Sequence, residues 1–459
     1  MSFPKYPEYK DSGVEWLGVV PENWGVCRAR NLGRFSASGI DKKTVEGEHS
    51  VQMFNYLDVY RSQGKVLSGG NELMETTAPP SKVIEHSVKA GDILLTPSSE
   101  TADDVGHAAV VGQTERATVY SYHLIRFRAS IPCEPRYLCH WFNSQNARSY
   151  FSSVATGTTR MVLSRGDFKD APVPLPDLSE QKKISAFLDH EIGKIDALIE
   201  EQRRLIELLK EKRQAVISHA VTDHGCKTPG RLGYYIDLLP GYAFPSQGFR
   251  FDDGIRLLRG INVGVGEIRW NEAVFWPEES TTGLEDYFLR EGDVVLGMDR
   301  PWIGGGTRVA RVSRQDLPAL LLQRVARIRA IEGLDPGFLW LILVSQEFKR
   351  ELETDLTGVS VPHISPEQIR SFRISLPDIE VQSELGKRVE LELEKVGLLI
   401  EQCERSIALM EERKTSLVSA AVTGKVDVGG WSTGAKAEEA ELAMVAEESA
   451  GYSAQGGAE

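Results

Sequence analysis

Leu175-Pro176-Asp177-Leu178-Ser179-Glu180-Gln181 recurs 201 residues later as Leu376-Pro377-Asp378-Ile379-Glu380-Val381-Gln382. The same offset carries Gly91-Asp92 onto Gly292-Asp293, Pro135 onto Pro336 and Ser144-Gln145 onto Ser345-Gln346. It also carries Thr156-Gly157 onto Thr357-Gly358 and Ala220-Val221-Thr222 onto Ala421-Val422-Thr423, with no gap needed from Gly91 to Thr222. A solenoid unit runs to only about 20–50 residues, so a period this long is a duplicated domain.

Downstream of each Leu-Pro-Asp lies a ladder of alternating steps of four and three. It runs through Leu188, Ile192, Ile195, Ile199, Gln202, Ile206, Leu209, Arg213, Val216 and Ala220, and again through Val389, Leu393, Val396, Ile400, Cys403, Ile407, Met410, Lys414, Leu417 and Ala421. Heptad spacing with Glu, Lys and Arg between the seam positions predicts coiled-coil helices. Each Pro-free stretch gives a helix of roughly 40 residues and about 60 Å. Arg213 and Lys414 are polar breaks at matched places in the two ladders. Chain order then predicts two globular parts linked by an antiparallel helix pair with pseudo-two-fold symmetry. The alternative is that each helix packs on its own globular core.

The part ahead of each helix holds strand-like runs after turn residues, such as Gly91-Asp92-Ile93-Leu94-Leu95 and Gly292-Asp293-Val294-Val295-Leu296. Arg324-Val325-Ala326-Arg327-Ile328-Arg329 alternates as a half-buried strand does. These parts read as α+β domains. No signal-peptide pattern opens the chain, and the apolar run from Phe338 to Val344 is too short to span a membrane. The five cysteines form no CxxC pair and no zinc-ligand spacing, which fits reduced thiols in a cytoplasmic protein.

A net charge of −13 argues at first against nucleic acid, because phosphate contacts need Lys and Arg. From Asp427 to Glu459, however, seven acids face one base, in a tail too polar to build a core. Residues 20–155 carry 14 acids and 14 bases, and residues 228–356 carry 19 acids and 15 bases, of which all but one are Arg. There is no Asn/Asp-Pro-Pro-Tyr tetrad, no GxxxxGK[ST] loop and no HExxH, and Gly304-Gly305-Gly306 lacks the strand-to-helix context of a phosphate loop. The chain reads as a binder, with no catalytic, cofactor-binding or metal-binding residue nominated.

Where framework residues agree between the copies and loop residues differ, each copy is expected to recognise something different. The divergent positions nominate Ser99, Thr101, His107, Tyr122, His123, Thr158, Thr159 and Arg160 in the first copy. In the second they nominate Arg300, Trp302, Arg308, Gln323, Arg324, Ser360 and His363. Arg forks suit guanine, Gln suits adenine and hydroxyls suit phosphates, so these residues form the expected DNA-binding set. An arginine on a strand can equally be a paired or solvated charge.

Tyr9-Lys10-Asp11-Ser12-Gly13-Val14-Glu15-Trp16-Leu17-Gly18 with Pro21-Glu22-Asn23-Trp24 resembles the opening of specificity subunits of type I restriction–modification systems. Asn55-Tyr56-Leu57-Asp58-Val59-Tyr60, Tyr122-His123-Leu124 and Gly241-Tyr242-Ala243-Phe244-Pro245-Ser246 resemble parts of their target recognition domains. Leu175-Pro176 through Gln181 resembles the junction with the conserved helix. The second copy departs there, with Val381 where the first has Glu180.

The resemblance implies an N-terminal conserved segment (1–20), a first recognition domain (21–178), a spacer helix (179–223), a second recognition domain (224–378), a second spacer helix (379–426) and a disordered acidic tail (427–459). It implies a non-catalytic subunit for phage defence whose domains each read half of a bipartite double-stranded DNA target; the helix length of about 60 Å, at ~3.4 Å per base pair, then limits both half-sites and their gap to about 18 bp. The helices would dock two modification subunits carrying S-adenosylmethionine, and motor-nuclease subunits would add ATP- and Mg-dependent cleavage. No cofactor is expected in this chain itself. A standalone DNA-binding regulator and a protein-binding coiled-coil adaptor are the alternative readings.

Overall fold

All twenty seam positions of the two ladders are buried or half-buried, and the positions between them are largely exposed, as an amphipathic stripe requires. They lie on two continuous helices, α1 (Leu178–Thr222) and α2 (Ile379–Val422), of 45 and 44 residues. A computed structural model of the chain describes residues 4–62, 66–70, 72–114, 116–222, 228–353 and 362–431. It divides into two units, one of residues 1–201 and 406–459, the other of residues 202–405. Each long helix therefore contributes one half to each unit.

In the first unit the sheet order is Gly33–Ala37 (β1), Ile125–Ala129 (β4), Ile93–Leu95 (β2) and Ala108–Val111 (β3), with Val66–Leu67 added at the edge. In the second it is Ile236–Pro240 (β5), Val325–Ala330 (β8), Val294–Gly297 (β6) and Val309–Arg311 (β7). A second, three-stranded sheet follows in each unit: Thr118–Tyr120, His49–Phe54 and Met74–Ala78 in the first, Phe275–Trp276, Ile255–Leu258 and Ala319–Leu321 in the second.

The duplication extends to individual interactions. Asp92 receives both nitrogens of the Arg128 fork (2.7 and 2.6 Å) and the Lys89 amide (2.8 Å). Asp293 receives Arg329 (2.5 and 2.8 Å) and the Arg290 amide (2.8 Å) in the same way. The preceding Gly91 and Gly292 have φ of 88° and 89°, a conformation that Gly adopts without a steric penalty. Gln181 accepts from the Glu134 amide and donates to the Pro176 carbonyl, and Gln382 does the same with Asp335 and Pro377. The shared Gln thus ties the start of each long helix to its own domain.

Both helices enter both cores. In the first unit, Ile184, Phe187 and Leu188 of α1 pack with Leu417, Val418, Ala421 and Val422 of α2 around Trp24, Tyr137, Trp141 and Phe142. In the second, Ile217 and Ala220 of α1 join Leu385, Val389 and Leu393 of α2 around Phe338 to Leu343. Within the first unit the helices run antiparallel: Phe187 lies against Trp431, beyond the end of α2, and Asp196 accepts from the polar seam residue Lys414 at 2.7 Å. In the second unit Lys212 lies 3.8 Å from Glu392. Helix pairing and packing on a domain core, weighed as alternatives from the sequence, therefore coexist.

The first unit is closed by chain ends. Asp427 donates its amide to Pro4, Tyr9 reaches the Gly424 carbonyl, and Tyr6 donates to Glu180 at 2.6 Å. Gly424 has φ of 73°, and a Cβ there would collide with the Pro21 ring. The expected tail thus remains packed as far as Trp431, with Val428 buried, and its remainder lies outside the described residues. Among the described residues no helix is long and apolar enough to cross a membrane, and no cluster of three or more His, Cys, Asp and Glu could hold a metal ion.

Candidate nucleic-acid interface

In each unit the candidate surface lies where the β2–β3 loop, or its β6–β7 counterpart, meets the segment that follows the domain's last helical pair. The contact is conserved in register. Ser98 pairs with Val162 in the first unit, and Asp299 pairs with His363, exactly 201 residues on, in the second.

The first unit gathers hydroxyls, aromatics and histidines around Asp104. This carboxylate accepts from Ser99 Oγ (2.7 Å) and Tyr60 Oη (3.0 Å), and His107 Nε2 lies 2.9 Å away. Burial pushes the Asp104 carboxyl up, but the bonds from His107, Ser99 and Tyr60 outweigh it and hold it below the ordinary value. Burial and the nearby Arg148 cation depress His107, despite its bond to Asp104. The Tyr60 ring stacks with Tyr56 at 5.7 Å and meets His107 edge-on at 4.9 Å. Tyr122 is exposed and its ring lies 3.8 Å from that of His123.

Thr158, Thr159 and Arg160 are exposed on the adjoining loop. Gly157 bends that loop at φ 141°, where a Cβ would meet the Arg160 carbonyl. Arg160 is close enough to Tyr56 and His123 to influence the ionisation of both. Thr101 is exposed at the start of a short 3-10 turn. Of the first-copy residues nominated from sequence, Ser99 is the one that is buried, its hydroxyl committed to Asp104.

The second unit presents a cleft of about 750 Å³ with a different character. Five arginines line it (Arg259, Arg269, Arg300, Arg308 and Arg324) with Asp299 as the single acid, alongside Gln323 and the exposed aliphatics Ile261 and Ile303. Arg308 is spent on structure, donating from Nε to the Val263 carbonyl (2.9 Å) and from Nη1 to the Asp299 carbonyl (3.0 Å). Burial lowers its guanidinium from the ordinary value. Asp299 is held by His363 Nδ1 at 2.7 Å and lies 3.7 Å from Arg324.

Arg300 and Arg324 have φ of 45° and 70°, the two non-Gly residues with positive φ among those described. Side chains at such φ are strained and concentrate at functional sites. Arg300 is pinned by its amide bond to Pro362 (2.7 Å) and Arg324 by its carbonyl, which accepts from Met298 (2.9 Å).

Trp302 departs from the expectation. It sits on the hairpin Trp302–Ile303/Gly306–Thr307, where successive side chains face opposite ways. Ile303 points outward, and the half-buried Trp302 packs on the core of its unit. Ser360 lies outside the described residues. Sequence comparison missed Tyr56, Tyr60, Asp104 and Arg148 in the first unit, and Arg259 and Arg269 in the second.

Residues 81–208 match the profile of the Type I restriction modification DNA specificity domain. The specificity subunit of the type I restriction enzyme MjaVIII from Methanocaldococcus jannaschii is 30% identical over 297 residues, which cover 61% of this chain and 68% of that protein. The EcoKI specificity subunit of Escherichia coli strain K12 is 20% identical over 428 residues, covering 89% and 90% of the two chains. Among solved structures, a chain from a study of complex assembly and conformational transition of the type I R-M system superposes with a TM-score of 0.70 at 16% identity, over 88% of this chain and 98% of that one. The HsdS subunit from Thermoanaerobacter tengcongensis gives 0.53 at 17% identity, over 89% and 98%. At these identities the two structures speak to fold.

Proposed function

The chain belongs to the specificity subunits of type I restriction enzymes, and on that premise we propose that its two domains read separate halves of one bipartite DNA target. It is a non-catalytic DNA-recognition subunit; methyl transfer and cleavage lie in partner subunits. We assign S-adenosylmethionine, ATP and Mg to those partners.

The observation that carries the two-half reading is the pairing of one frame with two chemistries. Ser98–Val162 and Asp299–His363 are the same bridge in the two units. Around the first stand Tyr56, Tyr60, His107 and Arg160; around the second stands an arginine-lined cleft. Identical frames with unlike linings suit two unlike half-sites. Exchanging residues 228–376 for the equivalent segment of another such subunit, followed by mapping of methylated adenines, tests this. One half-site should change and the other persist; a change in both halves refutes independent reading.

Docking of two modification subunits is supported by a second repeated feature. Leu198 and Leu399 are 49% and 47% exposed, and Leu208 and Leu409 are 52% and 59% exposed. Each pair is related by the 201-residue offset. The first unit thus carries one outward leucine from each helix, Leu198 and Leu409, and the second carries the equivalents, Leu399 and Leu208, together with the exposed Leu205, Leu391 and Leu398. An apolar seat on each unit, built on the same pair of repeated leucines, fits two copies of one partner.

A further inference from the structure

We propose that the half-site read by the second domain contains a guanine, recognised through the Arg300 fork. The proposal rests on the reading of that domain as a DNA reader and adds the identity of a base. The cleft has five guanidinium groups and one carboxylate, so it favours a ligand edge made of acceptors. Its arginines are not equally available. Arg308 is bonded to two carbonyls, Arg259 donates to the Glu272 carbonyl, and Arg269 is paired with Glu267. Asp299, the one acid, is committed to His363 at 2.7 Å and leaves Arg324 at 3.7 Å. Arg300 is exposed and its guanidinium has no hydrogen-bond or ion-pair partner among the described residues.

Its backbone is fixed on both sides. The Arg300 amide is bonded to Pro362, Asp299 bridges His363, and the Pro301 carbonyl accepts from the Arg308 amide at 2.7 Å. These bonds hold Arg300 at φ 45°, a conformation that costs free energy and persists only where the surroundings impose it. The result is a rigidly based, unspent donor fork.

Two acceptors in one plane that fit such a fork are offered by guanine O6 and N7, and by phosphate oxygens. The remaining lining favours the base. Ile261 and Ile303 are 59% and 47% exposed in the same cleft. Aliphatic side chains suit base edges and thymine methyls, whereas a phosphate would leave them facing its charge. The first domain has Ser99 at the position equivalent to Arg300, and that hydroxyl is consumed by Asp104, so the inference applies to one half-site.

The test uses the full chain assembled with its modification subunits. A DNA library randomised in both half-sites is methylated and sequenced, and binding is measured against salt. Wild type should select a G·C pair in the second domain's half-site. R300K keeps the charge but loses the fork, and R300N fits the left-handed backbone. Both should lose discrimination at that one position by about 5- to 150-fold and leave the other half-site intact. The salt slope of R300K should match wild type, because the charge is kept.

The proposal is overturned by a second half-site lacking any G·C pair, by full guanine preference in R300K, or by uniform weakening in R300N without loss of base preference. Failure of the two-half reading has a different signature: the domain exchange would then alter both halves, whatever R300K does.

Discussion

Replacing the outward leucines of one unit tests the partner stoichiometry most directly. Full burial of a Leu side chain stabilises by about 1.5–3 kcal/mol. Leu198 and Leu409 are 49% and 59% exposed, so docking can bury roughly the remaining half of each. Leu→Ala should then cost about 1 kcal/mol per position, and the L198A/L409A pair about 2 kcal/mol, near 30-fold in affinity. The equivalent pair L208A/L399A should weaken the other seat, by less where the exposed Leu205, Leu391 and Leu398 share the contact. Native mass spectrometry of the purified complex, titrated with modification subunit, counts bound copies. Wild type should bind two copies, and each double variant should bind one as wild type and the second more weakly, by about 30-fold for L198A/L409A. Equal weakening of both copies by one double variant, or no weakening by either, would refute the assignment of one seat to each unit.

Three further outcomes follow from the folded units. Burial holds His86, His107, His123 and His140, all in the first unit, below the ordinary imidazole value. The unfolded chain therefore takes up more protons than the folded one below about pH 6.5, and stability must fall as pH drops through that value. Hydrogen exchange of first-unit peptides between pH 7 and 5 should show it, and His140→Gln should flatten the dependence. Asp189, raised by burial but lowered more strongly by His140 and Arg136 to about 2, adds a second loss as pH falls from about 4 toward 2. Arg128→Ala leaves Asp92, 2% exposed, without its counter-ion and should cost about 3–5 kcal/mol in thermal unfolding. Arg329→Ala should cost a similar amount through Asp293. Gly424→Ala, at φ 73° against Pro21, should destabilise the closure of the first unit by more than about 1 kcal/mol, seen as faster proteolysis within residues 4–24.

The helices and the duplicated frame were legible because both leave periodic traces. A four-three ladder in a Pro-free stretch has few ways to bury its stripe, and all twenty seam positions are withdrawn from solvent. Framework residues shared at one offset proved to share contacts as well: Asp92–Arg128 with Asp293–Arg329, and Gln181 with Gln382. Facing was less legible. Trp302 was nominated for its chemistry, but neighbouring strand positions face opposite ways, and the outward one is Ile303. Asp104 is not among the residues nominated from the sequence. In the folded chain it is spent on positioning Tyr60, Ser99 and His107.

The missed cleft residues have a common cause in the register. Downstream of Gly91 the copies align at 201, and Val119 corresponds to Leu320. Their strand partners, Met53 and Leu257, are 204 apart, so the second copy is three residues shorter than the first between that strand and Gly292. Tyr56, Tyr60, Arg259 and Arg269 all lie in that interval, before Gly91 or Gly292, where comparison at 201 is out of register. Sheet pairing restores the correspondence, because a strand's register is fixed by which face must be buried. It brings Arg259 and Arg269 to the same cleft as Arg300 and Arg324. The arginine-lined cleft of the second unit is therefore assembled from two stretches that match the first copy at different offsets. Arginines from both stretches share one cleft that holds a single acid, so the cleft stays cationic despite a chain carrying a net charge of −13.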